Sequence, residues 1–389
     1  MKQQRRLMIP WKLLSFGMAI LLCFSMTVGL GVRAAALSDE ELTAPAAILL
    51  EPVSGKVLYE KNADEQRPCA SITKVMTLLL VMEAIESGKI SMDQTAVASA
   101  HAASMGGSDI WLKEGEEMMV SDLIKATVVM SANDAAVVLA ELVAGSEDAF
   151  VEQMNARAKE LGMENTTFKN CNGLDEDGHL TSARDVALMS AELIKHPAIF
   201  DYTLTWIDYV RDGETQLVNT NKLVRSYKGI TGLKTGTTSK AGSCISATAE
   251  RNGLKLVAVV LGCDTTEHRF ADAAALLDHG FANWAVITPE LPELGEVKIT
   301  NGLESTVVPS AELPESVLVE KGTAELQTEV TMEETVEAPV EAGQILGNIR
   351  FLTPDGQELT SVEIKASQDV ARLDFFACLG ILFQSLLSL

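Results

Sequence analysis

The chain has 389 residues, of which 47% are hydrophobic and 22% charged, and its formal net charge is −23. This length exceeds that of one average domain, and the composition can supply a large core, so we expect two folded domains. So acidic a surface is repelled by nucleic acid, whose affinity for proteins comes largely from phosphate neutralisation. Nucleic-acid partners are therefore excluded.

Residues 1–36 have the pattern of a secretory signal peptide. Basic residues precede an apolar run over residues 13–30, and Ala34, Ala35 and Ala36 offer a small-residue cleavage site. We predict cleavage after Ala36, with an uncleaved anchor as the alternative because the apolar run is long. The segment carries five basic and no acidic residues, so cleavage takes the net charge from −23 to −28.

The cysteines of the mature chain predict free thiols. They show no metal-ligand spacing, and an odd number cannot all pair within one molecule. We expect mostly buried thiols, no metal site and no cofactor. These cysteines are Cys69, Cys171, Cys244, Cys263 and Cys378.

The first elements after the signal are a hairpin and a buried helix. Residues 46–51 and 56–60 are apolar-rich and separated by Ser54-Gly55, which predicts two antiparallel strands. From Ile72 to Ile85 apolar residues recur at helical spacing until Gly88. This predicts a helix buried along one face.

Further helices follow in the middle of the chain. Ser121-Asp122 is expected to cap a helix through Met130, and a second apolar helix is predicted over residues 134–143. Ser146 is expected to cap a helix that ends at Gly162. Ser182 with Asp185 three residues later has the form of a capping box for a helix to His196.

The pattern then changes to strands. Residues 242–250 and 254–262 are strand-like and joined by Asn252-Gly253, a hairpin turn in which glycine supplies the positive φ. A hairpin at the front, helices in the middle and strands at the back predict one antiparallel sheet with a helical cluster beside it. We therefore expect an α+β catalytic domain over residues 37–287.

Residues 288–370 predict a small all-β domain. Short alternating segments at 296–300, 316–320, 326–331 and 345–351 are broken by prolines. We find no catalytic constellation in this part.

Residues 371–389 predict a membrane-anchoring amphipathic helix. From Phe375 to Leu389 the chain is about 22 Å long as a helix, which is short of a hydrocarbon core of roughly 30 Å. Most apolar residues fall on one helical face, as an in-plane helix requires. A helix packed on the β domain is the alternative, because Ile381 falls on the polar side and basic residues are lacking.

Three short motifs carry the chemistry: Ser71-Ile72-Thr73-Lys74, Ser131-Ala132-Asn133 and Lys234-Thr235-Gly236. Taken alone, each motif has an ordinary structural interpretation: the first as a helix start, the second as a helix junction and the third as a turn. In this order, and each in a suitable structural setting, they describe a serine acyl-transfer site.

Ser71 and Lys74 suit a nucleophile and its base. A serine hydroxyl needs a base to take its proton, and Lys74 is one helical turn away on the same face. To act near pH 7, a lysine needs its pKa lowered by roughly three units. Desolvation and a nearby positive charge both do this, and Lys234 is the candidate for that charge.

The other motif residues suit proton relay and substrate binding. Ser131 can pass a proton to the leaving amine, and Asn133 offers a donor and an acceptor to a peptide. The N–H groups of Ser71 and Thr237 could bind the oxyanion, and glycine at 236 allows close approach of a ligand. Lys234, Thr235 and Thr237 would then hold an anionic group.

His179 is a second candidate base for a serine. The alternative, which we favour, is a loop residue that supports the helical domain. Arg184 and Asp185 are interpreted as ion-pair and capping residues.

With these residues in place, the chain resembles the low-molecular-mass penicillin-binding proteins of the D-alanyl-D-alanine carboxypeptidase family, type-5 group. The likeness extends to residues 104–136, 170–185, 219–242 and 269–280 and covers essentially the whole mature chain. Two departures are Ala132, where glycine is frequent, and Cys69 beside the nucleophile.

The resemblance implies a β-lactamase and transpeptidase type of fold, and removal of the terminal D-alanine from peptidoglycan stem peptides through an acyl-serine. It also implies binding of β-lactam antibiotics and attachment of the C-terminal helix to the outer face of the cytoplasmic membrane. In this family Arg269 would lie near the carboxylate of the substrate.

Three other functions compete with this one. A serine β-lactamase shares the motifs, but no E-x-x-L-N segment lies between the second and third. A penicillin sensor needs a fused signalling domain, which we do not find in the sequence. A purely structural envelope protein would need no intact set of motifs.

Overall fold

The computed structural model describes residues 37–323 and 325–380. The predicted signal peptide lies outside these residues, as does the last part of the predicted C-terminal helix. No helix in the described ranges is both long and apolar enough to cross a membrane.

Helices dominate the middle of the chain, and strands lie on both sides of them. The helices are α1 Lys74–Glu86, α2 Ala100–Ala103, α3 Val120–Val129, α4 Asn133–Ala144, α5 Glu147–Glu160, α6 Ala183–Leu193, α7 Phe200–Thr203, α8 Leu223–Ser226 and α9 Thr266–Asn283. The first strands are β1 Ala46–Glu51, β2 Lys56–Lys61, β3 Thr95–Val97, β4 Glu117–Met119, β5 Ile207–Val210, β6 Thr215–Val218, β7 Ile230–Thr238, β8 Gly242–Arg251, β9 Leu254–Cys263 and β10 Trp284–Ile287.

A five-stranded antiparallel sheet with the order β2-β1-β9-β8-β7 organises this part. Strands from the front and from the back of the sequence meet where β1 pairs with β9, which confirms the predicted sheet. The β8–β9 turn is Asn252-Gly253, with φ values of 52° and 80°. This confirms the predicted hairpin.

Both faces of the sheet are covered. Because side chains alternate along a strand, Ile48 and Val259 face the helical cluster, whereas Leu49 and Val260 face the other way. Helix α9 packs on that second face through Leu276 and its neighbours. This helix is not among the elements predicted from the sequence.

Helix α1 differs from the prediction of one buried face. Its residues from Lys74 to Met82 are all buried, since α4, α6 and β7 pack around it. It also begins later than predicted, because residues Ala70–Thr73 form a separate 3-10 turn.

The predicted caps are partly wrong. Ser146 and Ser182 do cap α5 and α6 by accepting from backbone N–H groups. Helix α3 instead starts after Met119, which makes no side-chain cap. Asp185 does not complete a capping box, because its carboxylate accepts from Asn165 N and Thr166 Oγ1.

The C-terminal part is built from short strands, as predicted, with a helix start after them. The strands are β11 Val297–Thr300, β12 Thr306–Val307, β13 Pro309–Ser310, β14 Val317–Glu320, β15 Gln327–Met332, β16 Thr335–Glu337, β17 Ile345–Leu352 and β18 Glu358–Ala366. They form sheets β12-β11-β16 and β13-β18-β17-β15 around an apolar core that includes Ile349 and Phe351. Strand β14 pairs with β10 across the predicted boundary at residue 287, so the two parts share a small sheet.

Candidate active site

Ser71 lies in the 3-10 turn that leads into α1. Ala70 before it has φ of 52°, a conformation that non-glycine residues adopt at a cost and that is often found at functional sites. Two glycines make room for this turn. A Cβ on Gly236 would stand 2.9 Å from Ser71 N, and one on Gly173 would collide with the carbonyl of Ala70.

The amine of Lys74 lies beside the Ser71 hydroxyl. Its Nζ is 3.0 Å from Ser71 Oγ, and it donates to Asn133 Oδ1 and to the carbonyl of Asn172, both at 2.6 Å. A neutral amine has two N–H donors and one lone pair. Because the two carbonyl oxygens take both donors, the lone pair is directed at the serine hydroxyl.

Burial sets the proton affinity of Lys74. Its side chain is fully buried, and this desolvation lowers its pKa to about 7, in the direction that burial moves any amine. The neighbouring acids Asp109 and Asp134 oppose this shift. Desolvation is the cause of this shift, rather than the charge of Lys234 that the sequence suggests as a contributor.

Ser131 and Lys234 form a second pair. Lys234 Nζ donates to Ser131 Oγ at 2.8 Å and to the carbonyl of Thr235 at 2.9 Å. Ser131 has φ of 66°, in the short break between α3 and α4 that the sequence predicts. Burial and the charge of Lys74 hold the pKa of Lys234 well below its usual range.

Asn133 is engaged within the protein more than the sequence analysis expected. Its Oδ1 accepts from Lys74, and its Nδ2 donates to the carbonyl of Gly106 at 2.6 Å. The residue is 4% exposed. Asn133 therefore fixes the base and the 106–112 loop. One N–H of its side-chain amide remains for a ligand.

Strand β7 presents the third motif at the edge of the sheet. Lys234 and Gly236 lie on its face toward Ser131 and Ser71. Thr235 Oγ1 donates to Thr220 Oγ1 at 2.7 Å. Each residue of the third motif therefore lies next to another residue of the site or its support.

Arg269 reaches this edge strand from α9 on the opposite face. Its Nη1 donates to Thr237 Oγ1 at 2.8 Å and to the carbonyl of Gly236 at 3.0 Å. Thr237 is exposed while Arg269 is 6% exposed. The guanidinium therefore supports the threonine from beneath.

His179 does not face the nucleophile. It is 4% exposed, and its Nε2 lies 2.8 Å from Thr73 Oγ1. This contact fits the supporting position that the sequence analysis favoured.

Several contributors to the site were missed. The carbonyl of Asn172 contacts Lys74, and Asp134 accepts from the N–H groups of Ile110 and Leu112. Buried Asp109 has one carboxylate oxygen without a hydrogen-bond partner. A local sequence pattern cannot predict that the carbonyl of a residue 98 positions away accepts from Lys74. Of these contributors, only Asp134 could have been suspected from the sequence, because it follows Asn133 of the second motif.

Comparison with known proteins agrees with this geometry. Residues 33–265 match the family model described as D-alanyl-D-alanine carboxypeptidase, which is more than half of the chain. The chain belongs to this carboxypeptidase family. Residues 292–372 match the C-terminal domain of penicillin-binding protein 5, so the family resemblance extends through the β domain.

Individual relatives support the assignment. D-alanyl-D-alanine carboxypeptidase DacF of Bacillus subtilis is 40% identical over 90% of both chains. The structure of penicillin-binding protein 5 from Haemophilus influenzae is 29% identical, with a TM-score of 0.77 over 87% of this chain and 100% of that one. This confirms the expected type of fold.

One solved relative holds a β-lactam. Penicillin-binding protein D2 from Listeria monocytogenes in its ampicillin-bound form is 36% identical, with a TM-score of 0.58 over 63% of this chain and 100% of that one.

The cysteines also agree with expectation. Those within the described residues are free, and Cys69 is buried with its pKa raised to about 12 by desolvation, so it is a poor rival nucleophile.

Proposed function

We propose that this carboxypeptidase removes the terminal D-alanine from peptidoglycan stem peptides through an acyl-enzyme on Ser71. The observation that carries this proposal is the environment of Lys74. Its Nζ lies 3.0 Å from Ser71 Oγ, and two fixed oxygens occupy its N–H donors. A buried amine with a pKa of about 7 can accept the serine proton at neutral pH.

Acylation would proceed in two steps. Ser71 Oγ attacks the carbonyl between the two D-alanines while Lys74 takes its proton, and the N–H groups of Ser71 and Thr237 bind the oxyanion. The C–N bond then breaks, and Ser131 relays the proton from Lys74 to the leaving amine, which returns Lys74 to its neutral form. Lys234, 2.8 Å from Ser131 Oγ, supports that transfer. Water afterwards hydrolyses the ester.

The terminal carboxylate of the substrate would bind at the exposed end of β7. Thr235 and Thr237 offer hydroxyl groups there, Lys234 offers an N–H donor, and Arg269 supplies positive charge. Because Arg269 donates to Thr237, we assign it to holding that threonine. Asn133 contributes its remaining amide N–H to the peptide.

β-Lactam antibiotics would acylate the same serine, since their amide imitates the scissile bond. After incubation with penicillin, mass spectrometry of the mature protein should place the adduct on Ser71. An adduct on Cys69, or none, would contradict the assignment. Release of D-alanine from a diacetyl-lysyl-D-Ala-D-Ala peptide tests the activity itself and separates the enzyme from a sensor or structural protein. Fast turnover of penicillin without release of D-alanine would favour a β-lactamase.

We also propose that the mature enzyme is exported and held on the outer face of the cytoplasmic membrane by its C-terminal helix. Residues 375–380 are helical, Asp374 Oδ1 accepts from Ala377 N at 2.7 Å, and Phe375 and Phe376 are 74% and 78% exposed. Exposed aromatic side chains on an amphipathic helix favour a lipid interface.

Deletion of the residues after Ala371 tests this location. The truncated enzyme should become soluble while it still forms the penicillin adduct. If the full-length mature protein is already soluble without detergent, the anchor proposal is wrong.

A further inference from the structure

A chain of hydrogen bonds runs from a loop to the turn of the nucleophile. His179 Nδ1 accepts from the backbone N–H of Lys169 at 3.1 Å, and its Nε2 lies 2.8 Å from Thr73 Oγ1. Thr73 Oγ1 donates to the carbonyl of Ala70 at 2.9 Å. His179 and Thr73 are 4% and 0% exposed, so water does not compete for these contacts.

The donors in this chain are fixed by its first member. A backbone N–H can only donate, so Nδ1 of His179 must be the unprotonated nitrogen and Nε2 carries the proton. Nε2 therefore donates to Thr73, whose own proton is free for Ala70. Burial lowers the pKa of His179 to about 4, which keeps this tautomer neutral at physiological pH.

The last acceptor belongs to the peptide unit that ends in Ser71 N–H. A trans peptide is planar, with its C=O and N–H on opposite sides. The Ala70 carbonyl lies against Thr73 and Gly173, and Ser71 N would be 2.9 Å from a Cβ on Gly173 and also from one on Gly236 of β7. Whatever holds the oxygen in place therefore also fixes the direction of the Ser71 N–H, on the other side of the peptide plane.

We propose that His179 and Thr73 are positioning residues that orient the Ala70–Ser71 peptide as an oxyanion donor. This rests on the acyl-enzyme mechanism proposed above, in which the N–H groups of Ser71 and Thr237 bind the oxyanion. His179 and Thr73 would set the direction of the first of these two N–H groups. This arrangement also accounts for φ of 52° at Ala70, because a strained residue persists only where its surroundings hold it. Hydrogen bonds in series polarise one another. The series from His179 to Ala70 therefore makes the N–H of Ser71 a stronger donor as well as fixing its direction.

The test uses the carbonyl of the acyl-enzyme as a reporter. Thr73→Val keeps the shape of the side chain and removes the hydroxyl group. With penicillin, this variant should acylate about tenfold more slowly, the effect of losing about 1.4 kcal/mol, with unchanged affinity in the preceding complex. The infrared stretching band of the ester carbonyl should move to higher frequency, because its hydrogen bonds are weaker.

Matched variants separate positioning from general stability. Thr73→Ser should restore both the rate and the band, and His179→Leu should shift the band in the same direction as Thr73→Val. Combining the two should slow acylation no further than the slower single variant. The control is Thr127→Val, which removes another buried hydroxyl bonded to a helical carbonyl, that of Leu123; its band should not move.

Two results would overturn the proposal: an unshifted band in Thr73→Val, or an equal shift in Thr127→Val. Failure of the proposed function is distinguishable from both. In that case the wild-type protein itself would form no ester on Ser71.

Discussion

The catalytic domain and the C-terminal β domain differ in what they bury. Among the described residues, the buried polar and charged side chains lie between Glu51 and Asp272. The core of the β domain consists of apolar side chains such as Val297, Phe351 and Ile364. Both domains exclude water, but only the first does so around lysine, asparagine and arginine.

This difference shows where the chain retains groups that oppose folding. Burial of a charged amine costs free energy unless the amine is paired or neutral, and Lys74 and Lys234 lie fully buried within one site. The same desolvation that opposes folding turns Lys74 into a base. Among the described residues, the apolar core of the β domain carries no such cost.

The largest expected effect lies in the catalytic domain. Lys74→Ala should slow acylation of Ser71 by penicillin by about 10²–10⁴-fold, because no other base replaces the lysine. In the wild-type protein the acylation rate should rise with pH through about 7, since only the neutral amine accepts a proton. Stopped-flow or gel assays with a labelled penicillin measure both.

Lys234→Ala is the contrasting variant. It removes the donor that contacts Ser131 but leaves the base, so it should mainly weaken binding of the anionic substrate, by roughly 1.5–3 kcal/mol. Acylation of Lys74→Ala at the wild-type rate would show that the assigned chemistry is wrong.

The three motifs of the site can be found in the sequence because each of them is local. Ser71 and Lys74 are one helical turn apart, and each motif lies at the start or end of a predicted element. The sequence does not predict what completes the site. Asn172 contributes through its carbonyl and Asn133 mainly through internal contacts, and such pairings depend on tertiary packing that one sequence does not encode in any local pattern.

The fold follows the same division. Strands β1, β2, β8 and β9 are predicted because a hairpin turn lies between the members of each pair. Helix α9 is missed although it has 18 residues, and so is strand β18. Helix α1 shows the opposite error, since its apolar spacing indicates one buried face whereas its neighbours bury every residue from Lys74 to Met82.

A core substitution in each domain tests whether the two are independent. Phe351→Ala in the β domain should lower the free energy of unfolding by about 3–5 kcal/mol without changing the acylation rate of the folded enzyme. Phe168→Ala should cost a similar amount but also slow acylation, because Phe168 packs edge-on against His179 with ring centroids 5.9 Å apart. Urea unfolding and penicillin labelling give the two quantities. Equal slowing by both variants would contradict the comparison.

Acid should destabilise the catalytic domain through His179. Burial lowers its pKa from 6.5 to about 4, so below pH 6.5 the unfolded state binds a proton that the folded state does not. Stability should therefore fall between pH 6.5 and about 4, by up to about 3 kcal/mol. The histidines of the chain all precede residue 288, so the β domain contributes nothing to this loss.

His179→Gln is the variant for this measurement, because glutamine keeps a donor and does not titrate. Urea unfolding of the variant should show a pH dependence weaker by the same amount. If wild type and variant lose stability in parallel, His179 is not the group responsible.

Surface ion pairs should have the smallest effect, and here the two domains should behave alike. Arg157 bridges three helices through Glu83, Glu160 and Glu192, at 2.9–3.1 Å, whereas Arg350 joins β-domain strands through Glu329 and Glu358. Because water and salt screen exposed charges, Arg157→Ala should cost about 1 kcal/mol or less, and Arg350→Ala should be no more harmful. Both losses should shrink in 1 M salt, where the screening length is about 3 Å. A loss that persists in salt would mean that the arginine stem packs as well as pairs, and that charge alone does not describe these surfaces.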